Sequence, residues 1–381
     1  MNILHITPYF LPHKGGIERY VNNLSKNLVD RGHNVTIYTA NIPETKLVEN
    51  FNGISIFRFN CIAEPLRNPI IPRLMFPTKN IQKYDLIHIH MLYSSVALYG
   101  LLERNVCGIP VVMTHYGQMR FEEKFKDRMV KLYEIIILRK ILSICACCIA
   151  LSESDAQFLT SFVTENRIKV IPNAIDSREL LHYSKNEINL FLKLHNLENK
   201  KIILFIGRLI PIKGINYLIE AFYRVKKTIQ NPSVVLLIVG AGAEYYPLKQ
   251  IVKEKKMIDS VIFFGEVSNI DINFLYQSSF LFVLPSLSEG FPTVVLEAMY
   301  YGIPVIGTDI PVMKTNFSES ALLVPPSNSN ALAEAILSLI SDPSLTLILS
   351  IKAKEKVLNN FTWDIIGEKY LDIYTNIIYS N

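Results

Sequence analysis

Apolar positions along the chain follow two patterns: short unbroken runs, and stretches in which they recur every three to four residues. The chain opens on the run "NILHIT", passes through the turn-rich "PYFLPHKGG", and enters "IERYVNNLSKNLVDRG", where Ile17, Tyr20, Val21, Leu24 and Leu28 keep helical spacing. Gly32 stops that helix, and the β-branched, aromatic "NVTIYT" follows. A strand, a helix and a strand joined by short connections predict parallel pairing, because parallel neighbours need a crossover to return the chain to the same end. Further strands are expected at "ISIFRF", "DLIHIH", "PVVMTH", "CCIALS" and "IKVIPN".

The pattern then restarts. After the polar segment "HYSKNEINLFLKLHNLENKK", the strands "IILFIGRL", "SVVLLIVG", "VIFFGEV", "LFVLPS", "IPVIGT" and "ALLVPP" alternate with helical stretches, the first beginning near Ile215. Two such systems of about 180 residues each predict an α/β fold with two Rossmann-like domains facing each other across a cleft. The expected division is a domain over 1–180, a linker over 181–200 and a second domain over 201–360. The amphipathic 361–381 helix is expected to pack back on the first domain. A length of 381 residues agrees, being too great for one ordinary core.

Composition narrows the class. Half the residues are hydrophobic, so a sizeable core can be buried, and 16 glycines with 19 prolines exclude a collagen-like chain. The cysteines Cys61, Cys107, Cys145, Cys147 and Cys148 are odd in number and lack a second ligand pair at zinc-finger spacing. They read as small buried hydrophobes in a reducing compartment. "MNILHITPYF" has no basic leader or small-residue cleavage site, and the longest apolar run, Ile141 to Leu151, is shorter than a spanning helix requires. A cytoplasmic, non-spanning chain is expected. The net charge of +5 sits in residues 1–190, with 22 Lys and Arg against 17 Asp and Glu, whereas residues 191–381 carry 17 of each. A basic first half suits contact with anionic membrane, and the basic amphipathic stretch "RFEEKFKDRMVKLYEIIILRK" is where that contact is expected. No nucleic-acid partner is expected.

Open α/β sheets bind ligands at the carboxyl ends of their strands, so the residues just after each strand are read for chemistry. Between Ser286 and Asp309 the strand "LFVLPS" runs into a Gly-Phe-Pro turn, with Pro292 expected at the first position of a helix. The backbone amides of Gly290, Phe291 and Thr293 then form an anion site at the helix start. Glu289 precedes that site, and Glu297 lies roughly 7–8 Å further along the helix at about 1.5 Å per residue. The two carboxylates can therefore grip opposite ends of one long ligand rather than share a proton. The plainer alternative makes them solvated helix charges. In "FIGRLIPIKGI", Arg208 and Lys213 bracket a loop at a strand end, a pair of cations suited to a diphosphate.

"VGAGAEYY" invites a dinucleotide reading, but Tyr245 stands where the third glycine belongs, so a tight strand-to-helix turn is the better account. In the first half, Gly15 and Gly16 precede a helix and permit close approach of a ligand. His115 follows "PVVMT" on the ligand edge, where it can act as acid or base or bind a sugar hydroxyl. His88 and His90 alternate on one strand and face the same way, His90 being the one nearer the strand end.

These residues carry a resemblance. Glu289 and Glu297 in "SEGFPTVVLEAMYYGIPVI", with "GRLIPIKGI", "IPNAID" at Ile171 to Asp176 and the Gly-Gly-x-Glu loop at Gly15 to Glu18, resemble the retaining nucleotide-sugar glycosyltransferases of the GT-B fold, glycosyltransferase family 4. The resemblance spans nearly the whole chain and is strongest over 200–326. It implies a first domain that binds an acceptor and a second that binds a nucleotide-sugar. It further implies that Arg208 and Lys213 hold the donor diphosphate, that Glu297 takes the ribose hydroxyls, and that Glu289 contacts the transferred sugar beside Gly290 and Phe291. Gly16 would approach the phosphates, Val267 would lie near the base, and His115 would lie near the reacting centre. No metal or cofactor is implied, the nucleoside-diphosphate sugar being the substrate, and the acceptor class is a lipid-linked or polysaccharide intermediate. A nucleotide-sugar-binding protein without transfer activity, a 2-epimerase of the same fold and an NAD-linked oxidoreductase are the alternatives weighed. The last is disfavoured by the missing glycine fingerprint.

Overall fold

The computed structural model describes residues 1–65, 68–75, 81–98, 108–117, 124–229, 231 and 233–379. The chain divides into two compact units, Met1–Ala174 with Trp363–Asn381, and Ile175–Thr362.

The first unit is built on β1 (Asn2–Ile6), β2 (Asn34–Ala40), β3 (Val48–Phe51), β4 (Ile54–Phe59), β5 (Leu86–His90), β6 (Val111–His115), β7 (Cys147–Ala150) and β8 (Ile168–Val170). Among the described residues they lie in the order β3-β4-β2-β1-β5-β6-β7-β8. All pairs are parallel except β3 with β4. β5, β6 and β7 are buried along their whole length, which is why they read as unbroken apolar runs rather than alternating ones. The Gly16–Asp30 helix buries Tyr20, Val21, Leu24 and Leu28, the face expected from its spacing, and Gly32 at φ +83° ends it. β3 was not anticipated, since "VENF" has no apolar pattern. It pairs with β4 through Asn52 and Gly53, both at positive φ, as a two-residue hairpin turn requires.

The Trp363–Tyr379 helix belongs to this first unit and buries Trp363, Ile366, Gly367, Tyr370 and Tyr374, one face at three-to-four-residue spacing. It crosses the Gly16–Asp30 helix closely: a Cβ on Gly367 would lie 1.8 Å from Asn27 Oδ1. The Tyr20 and Tyr370 hydroxyls are hydrogen-bonded in the same contact.

The second unit holds β9 (Lys201–Ile206), β10 (Val234–Val239), β11 (Val261–Gly265), β12 (Ser279–Leu284), β13 (Val305–Thr308) and β14 (Leu322–Val324), in the order β11-β10-β9-β12-β13-β14 and parallel throughout. Residues 181–200, expected as a linker, instead contain a helix, Lys185–Leu194, opened by a capping box between Ser184 and Glu187. Its Phe191 is buried and stacks on Phe274 at 4.9 Å, so the segment is part of the second unit. The apolar face of a short helix is what a polar-looking stretch concealed.

Cys145, Cys147 and Cys148 are buried free thiols, Cys61 is half-buried rather than buried, and Cys107 lies outside the described residues. Among the described residues no single helix is long and apolar enough to cross a membrane. The basic stretch that begins at Arg120 is described from Lys124 onward as a helix (Lys124–Tyr133), a π turn (Glu134–Leu138) and a second helix (Arg139–Ile144). Met129, Leu132, Ile135 and Ile136 are each at least 50 % exposed on it. Arg128, Lys131, Arg139 and Lys140 are exposed beside them, while Glu134 is buried and accepts a hydrogen bond from Tyr93.

Candidate functional site

In the second unit the strand order runs outward in both directions from the neighbours β9 and β12. Their crossover connections part there, and the carboxyl ends of these two strands open a crevice where ligands of such sheets bind. The loop after β9 carries Arg208 and Lys213; the loop after β12 carries Ser286 and Glu289 and leads into the Thr293–Tyr300 helix bearing Glu297. The sheet thus brings together four charged residues that the sequence placed on two separate strands.

The two loops are packed backbone to backbone. Gly214 sits at φ +63°, and a Cβ there would lie 2.2 Å from the Pro285 carbonyl oxygen, so only glycine fits. The Leu287 amide donates to the Ile212 carbonyl at 2.8 Å. Across this junction Lys213 Nζ lies 2.5 Å from Glu289 Oε1, and Ser286 Oγ donates to the same oxygen at 2.6 Å. The pair is largely enclosed, with 16 % and 10 % of the side chains exposed, so solvent screens it weakly. Arg208 is exposed and makes no ion pair among the described residues, which leaves its guanidinium fork to an outside anion.

Pro292 is the N-cap of its helix rather than the first helical residue, at φ −81° and ψ 95°, and the helix begins at Thr293. The amides of Gly290 and Phe291 donate no hydrogen bond among the described residues, and they precede the positive end of the helix. The Phe291 ring is anchored between Phe317 and Phe361. Glu297 is buried and accepts a hydrogen bond from Tyr276 Oη on Oε2 at 2.9 Å. Glu289 and Glu297 therefore differ in their hydrogen-bond partners, Glu289 with Lys213 and Ser286 and Glu297 with Tyr276. Val267 is half-buried two residues past the end of β11, on the same carboxyl edge. The "VGAGAEYY" loop is a backbone bracket: Leu209 donates to the Ala241 carbonyl and Glu244 donates back to the Leu209 carbonyl.

In the first unit, Gly16 opens the Gly16–Asp30 helix and is exposed, and a Cβ on it would meet nothing within 4 Å. The loop before it is braced from inside by buried Glu18, whose Oε1 lies 2.8 Å from His13 Nδ1. His115 ends β6 and is 1 % exposed, with its ring stacked on Phe158 at 5.2 Å. Among the described residues its Nε2 has no hydrogen-bond partner; Asp155 Oδ1, at 3.7 Å, is too distant for one. Burial lowers the His115 pKa to about 4 and raises that of Asp155 to about 6, the latter opposed by a hydrogen bond from Ser152. Desolvation outweighs the attraction between them, so at neutral pH a neutral imidazole faces a carboxylate.

His88 and His90 do face the same way, but both are fully buried. His5 lies directly across from His88 on β1, and the three form a cluster whose ligand atoms are within 4.8 Å of one another. His5 Nδ1 and His90 Nε2 are 2.7 Å apart, His88 Nε2 is 2.7 Å from Thr114 Oγ1, and His90 Nδ1 is 2.7 Å from Tyr116 Oη. Neighbouring nitrogens around a tetrahedral zinc stand about 3.3 Å apart, so the His5–His90 contact as placed is a hydrogen bond.

Three contributors escaped the sequence reading. Ser286 stands three residues before Glu289, the Ser-x-x-Glu spacing of a local side-chain hydrogen bond, and could have been found that way. Asp155 shows the same spacing with Ser152, whose hydroxyl donates to it at 2.8 Å, but its approach to His115, 40 residues away, has no local signal, and neither has the Tyr276–Glu297 bond across 21 residues.

Residues 14–179 match the family profile described as Glycosyltransferase Family 4, and residues 188–356 match that of the glycosyl transferases group 1. An uncharacterized glycosyltransferase of Haemophilus influenzae is 30 % identical over 355 residues, covering 89 % of this chain and 91 % of its own. The GPI3 subunit of phosphatidylinositol N-acetylglucosaminyltransferase from Saccharomyces cerevisiae is 22 % identical over 387 residues, covering 99 % and 83 %. Among solved structures, Anabaena HepE in complex with UDP matches with a TM-score of 0.81 at 19 % identity, over 99 % of this chain and all of that one, a likeness of fold.

Proposed function

Because the chain belongs to the family 4, group 1 glycosyltransferases, we propose that it moves a sugar from a nucleoside-diphosphate sugar to a hydroxyl acceptor with retention at the anomeric carbon. The observation that carries this reading is the convergence of Arg208, Lys213, Glu289 and Glu297 on the β9–β12 switch point, with the two carboxylates held by different partners. Arg208 and Lys213 take the diphosphate, the Gly290 and Phe291 amides assist at the helix start, and Glu297 takes the ribose. Glu289 contacts the transferred sugar, Val267 the base, Gly16 the phosphates and His115 the sugar near the reacting carbon. A bound UDP in the HepE structure supports a uridine donor. The yeast relative named as a phosphatidylinositol N-acetylglucosaminyltransferase subunit supports a lipid-linked acceptor, and the exposed cationic, apolar helix face supports a peripheral contact with the cytoplasmic face of an anionic membrane as part of this reading.

The diphosphate is a good leaving group, so positioning and charge stabilisation supply the catalysis. The C1–O bond to the phosphate breaks as the acceptor oxygen bonds C1 from the same face, and the acceptor proton passes to the departing phosphate oxygen. Glu289, whose Oε1 is tied to Lys213 and Ser286, orients the sugar in this scheme rather than attacking it. The two cations and the helix start neutralise the leaving charge without a metal.

Arg208 offers the clean test, since its side chain braces nothing in the described fold. In titrations with UDP, GDP and ADP, Arg208→Ala is expected to weaken the preferred nucleotide about 10- to 100-fold, the worth of one charge-assisted hydrogen-bond pair. Unchanged affinity would overturn the assignment. Transfer is expected to persist in EDTA; loss that a divalent metal restores would overturn the metal-independent step. Donor breakdown that requires no acceptor would instead mark an epimerase.

A further inference from the structure

Glu297 is a carboxylate only 4 % exposed, and its orientation has to be set by its neighbours. Tyr276, on the Asn269–Ser278 helix, is fully buried, with its hydroxyl 2.9 Å from Glu297 Oε2 and 3.3 Å from the Val294 carbonyl. One hydroxyl carries one hydrogen, and the nearer, charged oxygen is the stronger acceptor. The Tyr276 ring stacks on Tyr301 at 5.7 Å and 21°. The Tyr301 hydroxyl in turn lies 2.9 Å from Asn273 Oδ1 and 3.0 Å from the Leu181 carbonyl. The same helix clasps the segment by which the chain enters the second unit: Gln277 Nε2 donates to the Leu181 carbonyl at 3.0 Å, and the Tyr183 amide donates to Gln277 Oε1 at 2.9 Å.

We propose that Tyr276 is a positioning residue for the nucleotide's ribose: by donating to Glu297 Oε2 it holds that carboxylate in the one orientation that meets the sugar hydroxyls. The Leu181–Tyr183 clasp fixes the height of the helix that carries Tyr276. This inference rests on the reading of Glu297 as the ribose contact. A phenylalanine keeps the ring and its stacking and removes only the hydroxyl, so Tyr276→Phe isolates the hydrogen bond.

The experiment compares wild type, Tyr276→Phe, Glu297→Gln and the double variant by titration with UDP, GDP and ADP and with the 2′-deoxy and 3′-deoxy form of each. Wild type is expected to prefer the ribonucleotide by about tenfold or more. In Tyr276→Phe that preference shrinks at least threefold, and in the Glu297→Gln background the tyrosine change has little further effect. A Tyr276→Phe protein that weakens ribo- and deoxynucleotides alike, or neither, overturns the positioning role and leaves Glu297 on the ribose. A wild type indifferent to the ribose hydroxyls overturns the Glu297 reading itself.

Discussion

At the scale of single residues, Gly16 separates what the fold needs from what a ligand needs. A methyl group there would touch nothing in this chain, and the position is helical, so Gly16→Ala is expected to leave stability unchanged or slightly raised. If the helix start approaches the donor phosphates, the same methyl occupies the space of an oxygen, and kcat/KM should fall at least tenfold with an unaltered melting temperature. Equal turnover would remove Gly16 from the site. Arg208, Lys213, Glu289 and Glu297 were legible because each follows a strand end directly or lies within one short helix of it. The partners that orient them were less so: Lys213 meets Glu289 across 76 residues.

At the scale of elements, the layer beneath the Gly16–Asp30 and Trp363–Tyr379 helices is unusually polar. His5, His88, His90 and Thr114 from β1, β5 and β6 meet Tyr20, Tyr116, Tyr370 and Tyr374. Burial lowers His5 to about 3 and His88 and His90 well below their ordinary value of 6.5. The unfolded chain takes up protons below pH 6.5 that the folded chain refuses, so stability is fully present above pH 6.5 and is lost as pH falls from there toward 3. His115 acts in the same direction. Asp155, raised to about 6, acts oppositely and stabilises as pH falls from about 6 toward its unfolded value. Four histidines against one carboxyl leave a net acid destabilisation, each tenfold change in a group's proton affinity being worth about 1.4 kcal/mol. The melting temperature is expected to drop steadily between pH 6.5 and about 4.5; a flat profile would contradict neutral buried imidazoles. The shared face of His88 and His90 was legible from strand alternation, but the C-terminal helix that covers it comes from 286 residues away in the His88–Tyr374 contact. The β3 hairpin was missed for a different reason. Its signal was the Asn52-Gly53 turn, not its apolar pattern.

At the scale of the whole molecule, the charge imbalance acquires a location. Met129, Leu132, Ile135 and Ile136 form an exposed apolar strip with Arg128, Lys131, Arg139 and Lys140 around it, and of the described acids of the same run Glu134 is buried against Tyr93 and Asp127 is paired with Lys131. Such a face suits the surface of an anionic bilayer, with apolar side chains among the acyl chains and cations at the head groups. The full chain is expected to sediment with phosphatidylglycerol-rich vesicles at low salt and to release in high salt. Ile135→Asp should weaken that binding severalfold without lowering nucleotide affinity. No sedimentation with anionic vesicles at low salt would remove the membrane from the account.

The chain's sequence alone determined two successive strand–helix systems, the parallel pairing within each and the strand ends at which chemistry is read, because these depend on side-chain period and turn residues within a few positions. Tertiary structure decided which strand ends are neighbours. Only the reversal of strand order at β9 and β12 puts Lys213 against Glu289, and only the packing of one helix on another puts Tyr276 on Glu297. Contacts of this kind depend on the order in which a sheet is assembled, and strand order leaves no mark in local periodicity.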